Sequence, residues 1–320
     1  MASSGVSGRT FSLKTRDGYT LDTDRGDKLV WQQYFSPIDC SVRIERGLFH
    51  VVPADPEKPD FFIQGGDTGL TYQPRHWNPD AGNVPLIRDL EKAECSVFSQ
   101  HGEDGILQFL LERIPVDHKF IVEFGGYDGV TMSNSRNLIV NDHWSALVIE
   151  ANPKFFGQLE SLYRNENRVT TIQSFVMPDN INRLFEQAGV PRDFDILSVD
   201  IDSADYYVWQ ALRNFEPKIV VIEFNSSVPP DQRYIVNEAD AVRLGPTSRG
   251  GASIKSFYEL GRSKGYVLVY CELIGGNLFF VHESCAEAFD MQGLTPELLY
   301  QPPQFGLLAG SPAPNGRGYR

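Results

Sequence analysis

Five short apolar runs, each reaching or abutting a polar or acidic residue, constrain this 320-residue chain more than any other feature. They fall at 120–124, 146–150, 169–172, 195–199 and 219–223, and each is bounded by Gly, Asp or Asn. Stretches of helical spacing lie between them, at 134–141, 154–165, 181–187 and 206–214, and another apolar stripe (Ile106, Leu107, Phe109, Leu110, Ile114) precedes the first. Near-continuous apolar strands alternating with helices predict a parallel sheet covered on both faces. After a last helix at 255–264, the runs 266–270 and 277–281 flank Gly275-Gly276 and predict an antiparallel hairpin added to the sheet edge.

The rhythm differs before residue 90. Short β-like runs at 28–31, 40–44, 48–52 and 61–63 are broken by turn signals such as Asp17-Gly18 and Gly65-Gly66-Asp67. The expected organisation is a β-rich or irregular annex over 1–90, an α/β domain over 91–300 and a flexible Pro- and Gly-rich tail over 301–320. Within the annex, 73–84 reads as a linker or wrapping arm.

Twenty-nine basic against 42 acidic residues give a net charge of −13. That balance argues against nucleic acid or an anionic membrane as the main partner. The four cysteines (Cys40, Cys95, Cys271, Cys285) are scattered and form no C-x-x-C pair, which suits free thiols in a reducing compartment. No apolar run approaches the roughly 20 residues needed to cross a bilayer, and residues 1–10 carry no signal-peptide core. A cytoplasmic protein without a membrane partner is expected.

In an open parallel sheet, ligands sit outside the carboxyl ends of the strands. The first strand ends in Glu123-Phe124-Gly125-Gly126-Tyr127-Asp128-Gly129, where glycines let backbone amides approach a ligand and Asp128 offers an acceptor. The spacing matches neither a Walker loop nor G-x-G-x-x-G, so a tight βα turn remains the alternative. Glu150 ends the second strand, about 20 residues on, where a carboxylate grips ribose hydroxyls in dinucleotide folds. It also suits the dipole of the helix that follows. The fourth and fifth strands run into Asp200-Ile201-Asp202 and Glu223-Phe224-Asn225, oxygen ligands suited to a general base or a divalent cation, or else helix caps and solvated loop acids. The segment 98–105 either folds over the ligand or makes an elaborate helix start. His101 and His143 are candidate bases near pH 7.

In this order the motifs resemble class I S-adenosylmethionine-dependent methyltransferases, nearest the FkbM-like branch. The matching pieces are Ser99-Gln100-His101-Gly102-Glu103-Asp104-Gly105, Val122–Gly129, Ser133-Asn134-Ser135-Arg136-Asn137-Leu138, Ile149-Glu150-Ala151-Asn152-Pro153, Ser198–Asp202 and Val221–Asn225, then Gly251-Ala252-Ser253 and Lys264-Gly265-Tyr266. The resemblance implies a Rossmann-like seven-stranded, mostly parallel sheet with a C-terminal antiparallel hairpin. It places Glu123, Gly125, Gly126 and Asp128 around the methionine and ribose of the cofactor and Glu150 on the ribose hydroxyls, with Ser99, Gln100, Asn134 and Asp200 completing the cofactor set. It also implies O-methylation of a sugar or natural product. Some related enzymes use Mg2+, for which Asp200, Glu223 and Asn225 are the candidate ligands, although aspartates stand there in those metal enzymes.

The expected chemistry is an in-line displacement in which Asp200 or Asp202, or His143, handles the acceptor's proton. Two rivals accompany this reading: a non-catalytic scaffold retaining the fold, and a nucleotide-sugar enzyme using a nicotinamide cofactor. The partner expected is a small-molecule acceptor, with specificity in 226–251, and a homo-oligomer is left open. Tyr127, Tyr207, Trp209 and Tyr234 are candidate stacking surfaces, Trp209 being equally a core residue.

Overall fold

The computed structural model describes residues 78–241 and 250–301, and the backbone of seven strands between residues 11 and 72. The chain forms two compact units, Met1–Trp77 with Pro302–Pro312, and Asn78–Gln301 with Ala313–Arg320. In the first, β1 (Phe11–Leu13), β4 (Cys40–Glu45), β5 (Leu48–Pro53), β6 (Phe61–Gly66) and β7 (Gly69–Tyr72) form an antiparallel sheet in the order β1-β4-β5-β6-β7. Strands β2 (Thr20–Asp22) and β3 (Lys28–Val30) pair separately. The first unit's leading segment ends at Trp77, short of the residue-90 boundary expected from the sequence. Residues 78–93 join the second unit because α1 (Pro85–Ala93) buries Leu86, Ile87 and Leu90 in its core. Pro85 opens that helix, where a missing N–H costs nothing. The expected linker beyond residue 72 lies partly, and the expected tail beyond Gln301 wholly, outside the described residues.

The second unit is an α/β domain. Helix α2 (Glu103–Leu111) leads into β8 (Phe120–Phe124), α3 (Arg136–Asn141), β9 (Ser145–Glu150), α4 (Pro153–Tyr163) and β10 (Val169–Gln173). Then come α5 (Ile181–Gln187), β11 (Ile196–Val199), α6 (Asp205–Ala211), β12 (Ile219–Glu223), α7 (Glu238–Ala241) and α8 (Ile254–Ser263). The chain closes with β13 (Tyr266–Cys271), β14 (Asn277–His282) and α9 (Pro296–Leu299). The seven strands run β10-β9-β8-β11-β12-β14-β13, with the first five parallel and β14 antiparallel to both neighbours. This is the Rossmann-like sheet with a terminal hairpin. Strands β8, β9, β11 and β12 are almost wholly buried along their length, as a sheet flanked by helices requires.

One buried charge ties the amino-terminal edge together. Asp195 is wholly buried and accepts backbone N–H bonds from Asp117, His118 and Phe120 at 3.1–3.2 Å, with Lys218 Nζ 3.3 Å away. Asp195→Ala would leave these donors without their acceptor, a loss of about 3 kcal/mol. The expected result is a melting temperature lowered by roughly 6–12 °C, with Asp195→Asn losing less because one oxygen remains. A scanning calorimetry trace unchanged by the alanine variant would show that the anchor is dispensable.

Candidate functional site at the carboxyl ends of the strands

Strand order reverses between β8 and β11, and their carboxyl ends open the crevice where such folds bind ligands. Register decides which side chains meet there. Val199 pairs with Ile222, so the next residues, Asp200 and Glu223, stand side by side; Ser198 pairs with Glu123. Carboxylate oxygens of Asp200, Asp202 and Glu223 all lie within 4.8 Å of one another. Asp202 holds φ +68°, a left-handed conformation rare for a non-glycine residue and common at functional sites.

Asp200 is exposed to solvent at the end of β11, with protein packed around its carboxyl. That enclosure, together with the negative charges of Asp202, Glu103 and Glu123, pushes its carboxyl up to about 7, while a hydrogen bond with Glu223 pulls the other way. Burial and neighbouring acids hold Glu223 well above the usual carboxylate range. Two carboxyls in hydrogen-bond contact are stable only when they share a proton. Asp205, 1% exposed, accepts the Ile201 N–H at 2.9 Å; burial and Asp200 push it up to about 8. Among the described residues no lysine or arginine forms an ion pair with any of these acids.

The glycine turn packs against this floor. Gly125 has φ +71°, and a Cβ there would meet the Asp200 carbonyl oxygen at 2.1 Å, so only glycine fits. Glu150 reaches back to the turn: Oε2 accepts the Tyr127 N–H at 2.9 Å and Oε1 the Asn152 N–H at 2.6 Å. Its carboxylate thus faces the glycine segment, with each oxygen accepting a backbone N–H. The Tyr127 ring stacks on Phe155 with centroids 3.8 Å apart, and Phe175, after β10, stands 74% exposed.

Other expected residues are occupied by the fold. Glu123 is buried and accepts bonds from Ser133 Oγ, Ser135 Oγ and the Asn134 N–H, which is why α3 begins at Arg136 and not at 134. Burial raises its carboxyl, against those hydrogen bonds. Asn134 bonds Ser198 Oγ through Nδ2 at 3.0 Å, while its Oδ1 is buried with no partner among the described residues. Asp128 accepts bonds from Val130 N, Thr131 N and Thr131 Oγ1, so it shapes its own turn; partial burial raises its carboxyl, but these bonds outweigh it and leave it below the usual range. Ser99 Oγ accepts the Asp104 N–H, and Asp104 Oδ2 accepts the N–H groups of Val97, Phe98 and Ser99. The segment 98–105 is therefore an elaborate helix start, with Gln100 exposed beside it.

Two expected residues are not brought to the cluster. His143 precedes β9, so it lies at the opposite, amino-terminal edge, about a strand's length (roughly 17 Å) from the acids. Asn225 donates Nδ2 to the Gly250 carbonyl and accepts the Ser227 N–H at Oδ1, which commits its amide to the loop; Asp202 takes its place beside Asp200 and Glu223. Trp209 is wholly buried in the core. Two acids were missed as site members. Asp205 lies in the first turn of α6, where an acid reads as a helix-dipole partner; Glu103 sits inside a matched motif, buried, with Oε1 bonded by Asn277 Nδ2 at 2.9 Å.

These raised carboxyls set a pH dependence. Asp200, Asp205 and Glu94 (about 7, 8 and 8) hold protons in the folded state that the unfolded chain has released, so their contribution fades as pH rises through those values. His101, held neutral by burial at about 4, opposes this only until the unfolded imidazole has lost its proton, about a pH unit above 6.5, and the larger number of raised acids outweighs it. The ligand-free protein is therefore expected to melt at progressively lower temperature from pH 6.5 to 8.5, followed by differential scanning fluorimetry; a rising melting temperature would contradict the shared-proton arrangement.

No protein-family model matches the chain, and no curated protein matches it. Solved structures share part of its course. The methyltransferase domain of the citrinin polyketide synthase aligns at TM-score 0.39 and 11% identity, over 63% of this chain and 57% of that one. A Podospora anserina methyltransferase bound to S-adenosylhomocysteine aligns at 0.38 and 13%, over 64% and 88%. Aeropyrum pernix fibrillarin with bound S-adenosyl-L-methionine aligns at 0.35 and 12%, over 85% and 98%. The fold assignment itself rests on the strand order and directions of the sheet. Among the described residues, no helix is long and apolar enough to cross a membrane.

Proposed function

We propose that the second unit is an S-adenosylmethionine-dependent methyltransferase acting on an oxygen of a small, polar acceptor such as a sugar or natural-product hydroxyl. The observation that carries this reading is the set of carboxylates Asp200, Asp202 and Glu223 beside a glycine turn, without a basic partner among the described residues. Such a cleft suits a ligand that brings positive charge and hydroxyl groups. The donor chemistry fits that cofactor: Asn134 Oδ1 is a buried acceptor lacking a donor, Glu150 faces the glycine turn, and the Tyr127–Phe155 pair offers a flat ring surface. The FkbM-like branch rests on the motif order alone.

The cofactor supplies an electrophilic methyl on a sulfonium. The chain's part is alignment and proton handling. With the cofactor bound, Asp200 would take the proton of the acceptor hydroxyl as that oxygen receives the methyl group and the sulfur departs as a neutral thioether. Glu223, sharing a proton with Asp200, holds that carboxyl in place and near neutrality, where a base is most effective. Asp202 adds a second acceptor for the substrate hydroxyl. Were Mg2+ bound, Asp200, Asp202 and Glu223 would hold it as hard oxygen ligands and it would acidify the same hydroxyl. The nicotinamide reading is disfavoured by the missing G-x-G-x-x-G spacing and by the antiparallel β14.

Asp200→Asn should lower methyl transfer from labelled S-adenosylmethionine to a panel of sugars and polyols by at least ~100-fold, with cofactor affinity within about fivefold of wild type. Loss of cofactor binding would move Asp200 into the cofactor site, and unchanged turnover would remove it from the mechanism. Repeating the assay in EDTA separates the two ways of neutralising the cluster. An unchanged rate assigns it to the shared proton, whereas loss restored by Mg2+ assigns it to the ion.

A further inference from the structure

We infer that the tip of the β13–β14 hairpin is a latch, closed onto the start of α2 by a single proton held between Glu272 and Glu103, and that the wall it forms beside the end of β12 opens when that proton leaves. Hairpin turns ordinarily lie in solvent, where their backbone groups are hydrated. This one is buried: Leu273 and Ile274 are 5% and 4% exposed, and Glu272 at its start is 0% exposed. It also adjoins the crevice. Asn277 of β14 pairs with Glu223 of β12, and the Phe224 N–H is donated to the Gly276 carbonyl at 3.2 Å. Movement of the tip therefore takes a neighbour away from the last residues of β12.

The hydrogen bonds decide where the proton sits. Glu103, 1% exposed, has both oxygens taken by donors: Oε1 accepts Asn277 Nδ2 at 2.9 Å and Oε2 accepts the His101 N–H at 2.6 Å. Glu272 Oε1 accepts the Asn277 N–H at 2.8 Å, whereas no N–H or hydroxyl reaches its buried Oε2 among the described residues. Yet the two carboxyls are in hydrogen-bond contact. They can make that contact only through a proton. Of the four oxygens, Oε2 of Glu272 alone has no donor on it, so Glu272 carries the O–H and donates it to Glu103. No positive charge stands in for that proton. Glu91 and Glu94 of α1, Tyr270 and Cys271 of β13, Asp200 beyond β11 and His101 before α2 surround the pair, and burial holds the histidine neutral. Among the described residues no lysine or arginine forms an ion pair with Glu272 or Glu103. Burial first, and then the charges of Glu103 and Glu94, hold the Glu272 carboxyl well above the usual range. Without the proton the tip carries two buried like charges, a state relieved when Glu272 moves into water.

The closed tip keeps a proton that a solvated glutamate has released by neutral pH, so closure is favoured at low pH and weakens as pH rises. Hydrogen exchange of the full chain, followed by mass spectrometry at pH 6.5, 7.5 and 8.5, tests this at the Leu273 and Asn277 amides, which Glu94 and Glu272 hold. Their protection factors, corrected for intrinsic exchange, should fall at least about tenfold per pH unit, the signature of one proton released on opening. The amides of β9 should stay protected, which separates opening of the tip from unfolding of the sheet. Glu272→Gln puts an amide N–H where the proton stood. It should remove about one factor of ten per pH unit from that slope and leave the circular dichroism spectrum unchanged. Glu94→Gln, which neutralises the other buried acid at the tip, should keep the tenfold dependence at Asn277. Protection independent of pH in the unaltered chain overturns the inference. So does a wild-type slope in Glu272→Gln, or failure of this near-isosteric variant to fold. None of these outcomes bears on which ligand the crevice takes, so the methyltransferase reading stands or falls separately.

Discussion

The register between β11 and β12 is the constraint from which the candidate site follows. Once Val199 lies opposite Ile222, the residues beyond both strands must emerge together, and Asp200 and Glu223 are the first to do so. Neither carboxyl can retreat, since each follows a strand buried in a sheet with helices on both faces. The glycine turn after β8 is fitted to the same point: with a side chain at Gly125 the Asp200 carbonyl would have to move. Sheet, turn and acids are therefore one mechanical unit. A slip of one residue in pairing would send every side chain of β11 to the other face and disperse the cluster.

Two ends of one sheet show how the same residue type is put to different work. Asp195 at the amino-terminal edge is fully satisfied by three backbone donors and Lys218, and it stabilises the fold. Asp200, at the other end of the same strand, faces other acids, and its ionised form is disfavoured. A stability-driven sequence has no reason to gather carboxylates at one strand end. Local conflict of this kind, inside an otherwise consistent sheet, is where binding and chemistry are expected.

Much of this was legible in the sequence because the central strands are buried on both faces and so read as unbroken apolar runs. Their positions, the β12-β14-β13 hairpin and the acids at the strand ends all follow from that pattern. What escaped had physical causes. Helix α1 was hidden because Pro74, Pro79 and Pro85 look alike as punctuation, whereas Pro85 opens a helix whose Leu86, Ile87 and Leu90 are buried. Ser133 to Ser135 carry helix-like spacing, but Glu123 from a strand ten residues away claims their hydroxyls and an amide. Asn225 was drawn out of the acid cluster by Gly250, 25 residues later, a long-range contact that no local pattern encodes. His143 was misjudged for a simpler reason: it precedes its strand, and only residues following parallel strands share the crevice.

The distribution of satisfied and unsatisfied groups narrows the chemistry further. Glu123, Glu150, Asp128 and Ser99 all have the polar side-chain atoms that face the turns engaged by backbone amides or hydroxyls, so they act by fixing loop shape. That leaves Asp200, Asp202 and Glu223, whose oxygens lie within 4.8 Å of one another, without a backbone amide bonded to them among the described residues. Holding three such groups in a strained, partly enclosed geometry, with Asp202 at positive φ, is costly to the empty protein and useful only when something arrives to share the charge. The rigid parts of the cleft are thus those that shape it, and the electrostatically frustrated parts are those left to meet the ligand. On the function proposed above, acceptance of a polar substrate and attraction of a cationic donor have the same origin, the group of acids at the point where the sheet reverses its order.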